Sequence, residues 1–139
     1  MHVESPISSS AQTERPQPVG EVVSHHLYGV LRTRATAALQ SPPDLLRVLR
    51  KAVDEVGLTA VGELGVALSP YGASVVVLLT ESHVAMHHWP ELETLTVDIH
   101  VCDFGRNNLD RARAVAELLD CAFARPGFGT TWHCDTISG

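Results

Sequence analysis

Thr94-Leu95-Thr96-Val97-Asp98-Ile99-His100-Val101-Cys102 alternates residue by residue. Val97, Ile99 and Val101 point one way and Asp98, His100 and Cys102 the other, the period of a strand with one buried face. Downstream, Asn107 or Asn108 is placed to cap a helix whose apolar stripe is Leu109, Ala112, Val115, Ala116, Leu119, Ala122 and Phe123. Pro126 and Gly127 end it, and Thr130 to Ile137 supplies a last strand. Upstream, Val84 to Trp89 is extended, and the β-type runs Leu58–Leu68 and Ala73–Thr80 flank the turn Ser69-Pro70-Tyr71-Gly72. Ser41, Pro42 and Pro43 open an earlier helix, since the first helical N–H groups have no partner to lose. Its stripe is Leu45, Leu46, Leu49, Ala52, Val53 and Val56, and Gly57 stops it. Glu21 to Leu31, with His25 and His26 inside it, reads as a further strand. Strands mixed with two amphipathic helices and short connections predict an α+β fold: a two-layer sandwich of a mostly antiparallel sheet with two helices on one face.

The chain has 139 residues, enough for a single domain, here assigned to residues 19–139. Residues 1–18 are rich in Ser, Pro, Gln and Glu without apolar periodicity and are expected to form a disordered tail. Ten Lys+Arg against sixteen Asp+Glu, with no basic run, argue against a nucleic-acid partner. No apolar run reaches the length that spans a membrane, and the N-terminus lacks the pattern of a signal peptide. Three cysteines, Cys102, Cys121 and Cys134, show no spacing pattern of a disulfide framework, which fits a reducing, cytoplasmic setting.

The chemistry concentrates in Thr80-Glu81-Ser82-His83-Val84-Ala85-Met86-His87-His88-Trp89-Pro90-Glu91 and in Asp98, His100 and Cys102. Setting these groups beside sheet-forming apolar runs is costly unless each finds a partner. A zinc site drawn from His83, His87, His88, His100 and Cys102 is one reading. Yet His83 and His87 would meet only on a helix, which Pro90 and the β-type flanks disfavour. A hydrolytic Ser-His-acid set is a second, but Ser82 lacks the flanking glycines of a nucleophile elbow. Solvated edge-strand histidines, with Cys102 a small core residue, are the third; that explains any one residue well and the grouping poorly.

A fourth reading is a resemblance. Glu81-Ser82-His83, then His87-x-Trp89-Pro90-Glu91, then Val97-Asp98-Ile99-x-x-Cys102 resembles the signature of the short, prokaryotic S-adenosylmethionine decarboxylase proenzymes, and Pro70-Tyr71-Gly72-Ala73-Ser74 resembles their Pro-x-Gly-x-Ser segment. The match runs over about residues 20 to 125, with its specific part in residues 70 to 102.

That resemblance implies autocatalytic cleavage between Glu81 and Ser82 into chains 1–81 and 82–139, with Ser82 becoming a pyruvoyl group, the cofactor that holds the substrate amine as a Schiff base. It assigns His87 to proton transfer and Ser74 to hydrogen bonding in processing, Cys102 to the proton returned at Cα after CO₂ leaves, and Glu91 to hydrogen bonding with the substrate, such as a ribose. His83, His88 and His100 are left to structural or solvated roles, as are Cys121 and Cys134. A homodimer of cleaved protomers with sites at the interface is implied, and no activator is expected.

Three positions depart from the family pattern. Val101 and Asp103 flank Cys102 where Thr and Gly are usual, so that Asp103 sets a negative charge beside the proposed acid. His88 replaces the Thr before Trp89. Leu68 stands where an aromatic ring commonly stacks on the adenine. The favoured function is thus decarboxylation of the small molecule S-adenosylmethionine to an aminopropyl donor for polyamine (spermidine) biosynthesis. Decarboxylation of ornithine or arginine on the same scaffold is the alternative, and a non-catalytic partner subunit the third reading.

Overall fold

In the computed structural model, which describes residues 2–3, 21–34 and 41–139, the alternating segments become strands of one sheet. They are β1 (His2–Val3), β2 (Val23–Arg32), β3 (Ala60–Ala67), β4 (Ala73–Leu79), β5 (Ser82–Trp89), β6 (Thr94–Cys102) and β7 (Trp132–Ser138). Their order is β1-β3-β4-β5-β6-β2-β7, antiparallel at every step. Strands β3 to β6 form a meander, and β2 inserts between β6 and β7. Residues 4–20, which hold most of the expected tail, lie outside the described residues. At the start of that tail the expectation gives way to β1, where His2 and Val3 pair with Ala67 and Val66 and so use the open backbone groups of the sheet edge.

Helices α1 (Pro42–Glu55) and α2 (Leu109–Phe123) cover one face, α1 over β3 and β4, α2 over β2 and β6, and they touch each other. The expected α+β sandwich with both helices on one side is therefore what forms. The Ser41 side chain accepts the Asp44 N–H, the two prolines occupy the first turn, and Gly57 follows the helix at φ +80°. Leu45, Leu49, Ala52 and Val53 are buried against the sheet, and each large apolar side chain so buried contributes about 1.5–3 kcal/mol. Contact with β3 is close: a Cβ on Gly65 would lie 2.8 Å from Pro42 Cβ.

The start of α2 differs from expectation in detail. Asn108 occupies the cap position, but with φ −92° and ψ −1° its side chain makes no capping bond. Its amide instead donates to the Cys102 carbonyl, while Asp103 accepts the Asn108 N–H and Asn107 Oδ1 accepts the Leu109 N–H.

Leu27, Leu31, Val77, Val84, Met86, Leu95 and Ile99 meet the helices in one core. The other sheet face carries Ser24, His26, Tyr28, Ser74, Leu78, His83, His87, Asp98, His100 and Cys102. Among the described residues no helix packs there, and Val30, Leu78 and Trp89 are 53%, 50% and 45% exposed.

Candidate active site

Thr80 and Glu81 form the tight turn between β4 and β5, and Ser82 is the first residue after it. Thr80 N–H donates to the Thr59 carbonyl at 3.0 Å, and Thr59 N–H donates to buried Glu81 Oε1 at 3.1 Å. These bonds clamp the turn from the neighbouring chain segment. Ser82 leaves it with φ 150°, a region that favours glycine and costs a serine roughly 1–3 kcal/mol. The carbonyl oxygen of Glu81 accepts the backbone N–H of Cys102 at 2.8 Å. Strand β6 thus holds the oxygen that would become negative if a nucleophile attacked that carbonyl.

The Ser82 hydroxyl lies 3.2 Å from His83 Nδ1 and 3.2 Å from His100 Nδ1. Having one proton, it donates to one imidazole and accepts from the other. The register sets His83, His100 and His26 in a row across β5, β6 and β2. The His83 and His100 rings meet edge to face at 5.3 Å, and His26 and His100 stand 5.8 Å apart. Burial holds the His100 imidazole below the ordinary histidine pKa, and the neighbouring His83 and His26 push the same way. His26 Nε2 donates to Asp98 Oδ1 at 2.9 Å.

Cys102 is half-buried at the end of β6, its Sγ 3.2 Å from Ser24 Oγ on β2. Asp103 does not stand bare beside it. Its Oδ1 accepts from Nε2 of buried His25 at 3.0 Å and from Asn108 N–H at 2.8 Å, and His25 Nδ1 in turn bonds Thr136 Oγ1 at 2.9 Å. The charge expected to bear on the thiol is engaged by His25, whose role the sequence does not announce because their partnership depends on how β2 and the end of β6 meet.

Ser74 and His87 pair across β4 and β5, with Oγ and Nδ1 2.8 Å apart. His87 follows Ser82 by five residues on the same strand, about 16 Å at 3.3 Å per residue. Within one chain the two do not meet. Leu68 and Glu91 fall at the His87 end, lining a cleft of about 560 Å³ with Pro70, Tyr71, Gly72 and Pro90. Gly72 has φ +101°, and a Cβ there would lie 2.7 Å from the His88 carbonyl oxygen, so the turn requires glycine. His88 itself faces the core, and burial lowers its pKa against an opposing pull from Glu91. Among the described residues no group of three or more His, Cys, Asp or Glu is placed to hold a metal ion.

The candidate residues therefore fall into two groups: Glu81, Ser82 and Cys102 at one end of the hairpin, and Leu68, Ser74, His87 and Glu91 at the other. His83 and His100, which the family resemblance leaves to structural or solvated roles, are the side chains that touch the Ser82 hydroxyl.

The S-adenosylmethionine decarboxylase family model matches residues 25–124. An S-adenosylmethionine decarboxylase proenzyme of Aeropyrum pernix is 36% identical over 104 residues, covering 73% of this chain and 78% of that protein. A protein of the same name from Picrophilus torridus is 37% identical over 95 residues, 68% of each chain. An arginine decarboxylase proenzyme of Aeropyrum pernix is 40% identical over 87 residues, 60% of this chain and 62% of that one. The solved adenosylmethionine decarboxylase of Aquifex aeolicus superposes with a TM-score of 0.66 at 24% identity, over 83% of this chain and 91% of that one, a likeness of fold.

Proposed function

This chain belongs to the S-adenosylmethionine decarboxylase family, a family of carboxy-lyases, and we propose that it cleaves itself between Glu81 and Ser82 and then decarboxylates S-adenosylmethionine for polyamine synthesis. The observation that carries the self-cleavage is Ser82 itself: a strained serine whose hydroxyl meets two imidazoles and whose preceding carbonyl is already bonded to Cys102 N–H.

Attack by Ser82 Oγ on the Glu81 carbonyl carbon closes a five-membered ring and turns the peptide into an ester. Loss of the Ser82 Cα proton then expels the Glu81 carboxylate and leaves dehydroalanine, whose amine water displaces as ammonia to give a pyruvoyl group at the head of residues 82–139. The described residues would suit such a group, since the Ser82 α-carbon stands at the start of β5, a strand held on both sides by β4 and β6. When present, it supplies an electron sink for loss of CO₂. In this reading Cys102, whose Sγ lies beside the Ser24 hydroxyl, returns a proton at Cα.

Ser74, His87, Leu68 and Glu91 act on the same reaction through a second copy of the chain. The open sheet face carries both groups of residues and exposed Val30, Leu78 and Trp89. Two copies packed face to face and antiparallel place the His87 end of one opposite the Ser82 end of the other. His87, paired with Ser74, then serves proton transfer in processing, and Glu91 the hydroxyls of a ribose.

For the substrate, Tyr71 in the Leu68–Glu91 cleft is 66% exposed and offers the aromatic face that Leu68 does not. This favours S-adenosylmethionine. Arginine or ornithine is the second reading, supported by the similarity to the arginine decarboxylase proenzyme. A soluble, cytoplasmic site of action is part of the proposal; among the described residues no helix is long and apolar enough to cross a membrane.

Intact mass after purification under native conditions, followed by CO₂ release from S-adenosylmethionine, arginine and ornithine, tests this. The expected result is two chains, 1–81 and pyruvoyl-headed 82–139, with turnover of S-adenosylmethionine. A single uncut chain sinks both enzyme readings and leaves the partner-subunit role.

A further inference from the structure

We propose that His100 is the catalytic base that removes the Ser82 hydroxyl proton in the first step of self-cleavage, with His83 a positioning residue that orients the same hydroxyl. This deepens the self-cleavage reading and rests on it. Processing moves protons at two places: at Ser82 Oγ during the acyl shift, and at Ser82 Cα during elimination. Within a chain His87 lies about 16 Å along the strand from Ser82, while His100 Nδ1 is 3.2 Å from Oγ.

The position of His100 suits the first step. It sits two residues before Cys102 on β6, so the base and the N–H that holds the Glu81 carbonyl oxygen come from one strand. As the bond from Oγ to the Glu81 carbonyl carbon forms, the hydroxyl proton passes to His100 Nδ1. The carbonyl electrons move onto the oxygen held by Cys102 N–H. The carbon–nitrogen bond then breaks, and the imidazolium returns its proton to the nitrogen of Ser82. The product is an ester and a free amine, and no co-reactant is consumed. Burial together with His83 and His26 keeps His100 neutral, with a lone pair for the proton.

The groups facing His100 are His83 from β5, His26 and Ser24 from β2, and Asp98 and Cys102 on β6 itself. Because its pKa lies below the ordinary value of about 6.5, His100 remains a base into mildly acid conditions. Processing falls only as pH drops through that lowered value.

The test uses freshly translated full-length chain, with the 82–139 fragment followed by mass. His100→Ala and His100→Gln should slow its appearance about 100-fold, and added imidazole should restore part of the rate in His100→Ala. Hydroxylamine, which cuts esters, should find none in these variants because they stop before the acyl shift. In the uncleavable Ser82→Ala chain, the His100 titration followed by NMR should share its midpoint with the pH profile of wild-type processing. That comparison stands even where a His100 variant fails to fold. Wild-type cleavage with an equally fast His100→Ala, an ester accumulating in His100→Gln, or discordant midpoints would overturn the assignment alone. A wild-type chain that stays whole overturns the self-cleavage reading and this inference with it.

Discussion

Ser82 stands where a side chain, a backbone strain and a polarised carbonyl coincide, and the strain of roughly 1–3 kcal/mol stored at φ 150° is released as the proposed ester forms. The carbonyl lengthens toward a single bond at the moment when the Cys102 N–H matters most. At the substrate end, Tyr71→Ala should raise KM for S-adenosylmethionine up to about tenfold with kcat little changed, the loss of an aromatic contact worth about 0.5–1.5 kcal/mol. Steady-state kinetics on the processed enzyme checks it; an unchanged KM removes Tyr71 from the pocket. Ser82, Cys102, His87 and Glu91 were legible as candidates because a motif ties their types to their spacing. His83 and His100 were not. Alternation says which face a residue takes, but only the pairing of β5 with β6 says that both rings stand beside the hydroxyl, and that register leaves no local mark. His25 was hidden in the same way, its Asp103 partner being distant in sequence.

Elements were read more fully than contacts. Each helix showed its stripe and its stop, and Ser41 with two prolines marked the start of α1. At the start of α2 the two cap candidates divide the work: Asn107 Oδ1 accepts the Leu109 N–H, while Asn108 turns its amide back to Cys102, a choice set by the neighbouring strand rather than by local preference. Strand β1 escaped notice because two residues are too few to show alternation. Gly65 shows how closely α1 lies on the sheet, and it offered no periodic signal. Gly65→Ala should push Pro42 and Leu46 outward and lower the stability of the chain by about 1–3 kcal/mol. Urea unfolding measures this, and a loss below about 0.5 kcal/mol would mean that the helix yields without strain.

Across the whole molecule, the open sheet face carries the two groups of residues at opposite ends, and the proposed second copy would join them. The proposed dimer makes a sharp prediction for mixed variants. His87→Ala chains alone should remain uncut, as should Ser82→Ala chains alone. Coexpressed, the His87→Ala chain should be cleaved, because the mixed dimer restores one site with Ser82 from one copy and His87 from the other. Mass analysis of the coexpressed pair decides, and a mixture that stays whole would place the site within one copy. The strand order has a final consequence. Residues 1–81 hold β2, which lies between β6 and β7 of residues 82–139, and β4, which pairs with β5. The proposed cut would therefore yield two pieces laced through each other by three ladders, neither with a complete sheet of its own. An uncut protomer folds at a rate independent of how dilute it is. Once cut as proposed and then denatured, the same protein would have to find its other half by collision, so maturation would turn a first-order refolding into a second-order one and make loss of the fold harder to reverse in dilute solution.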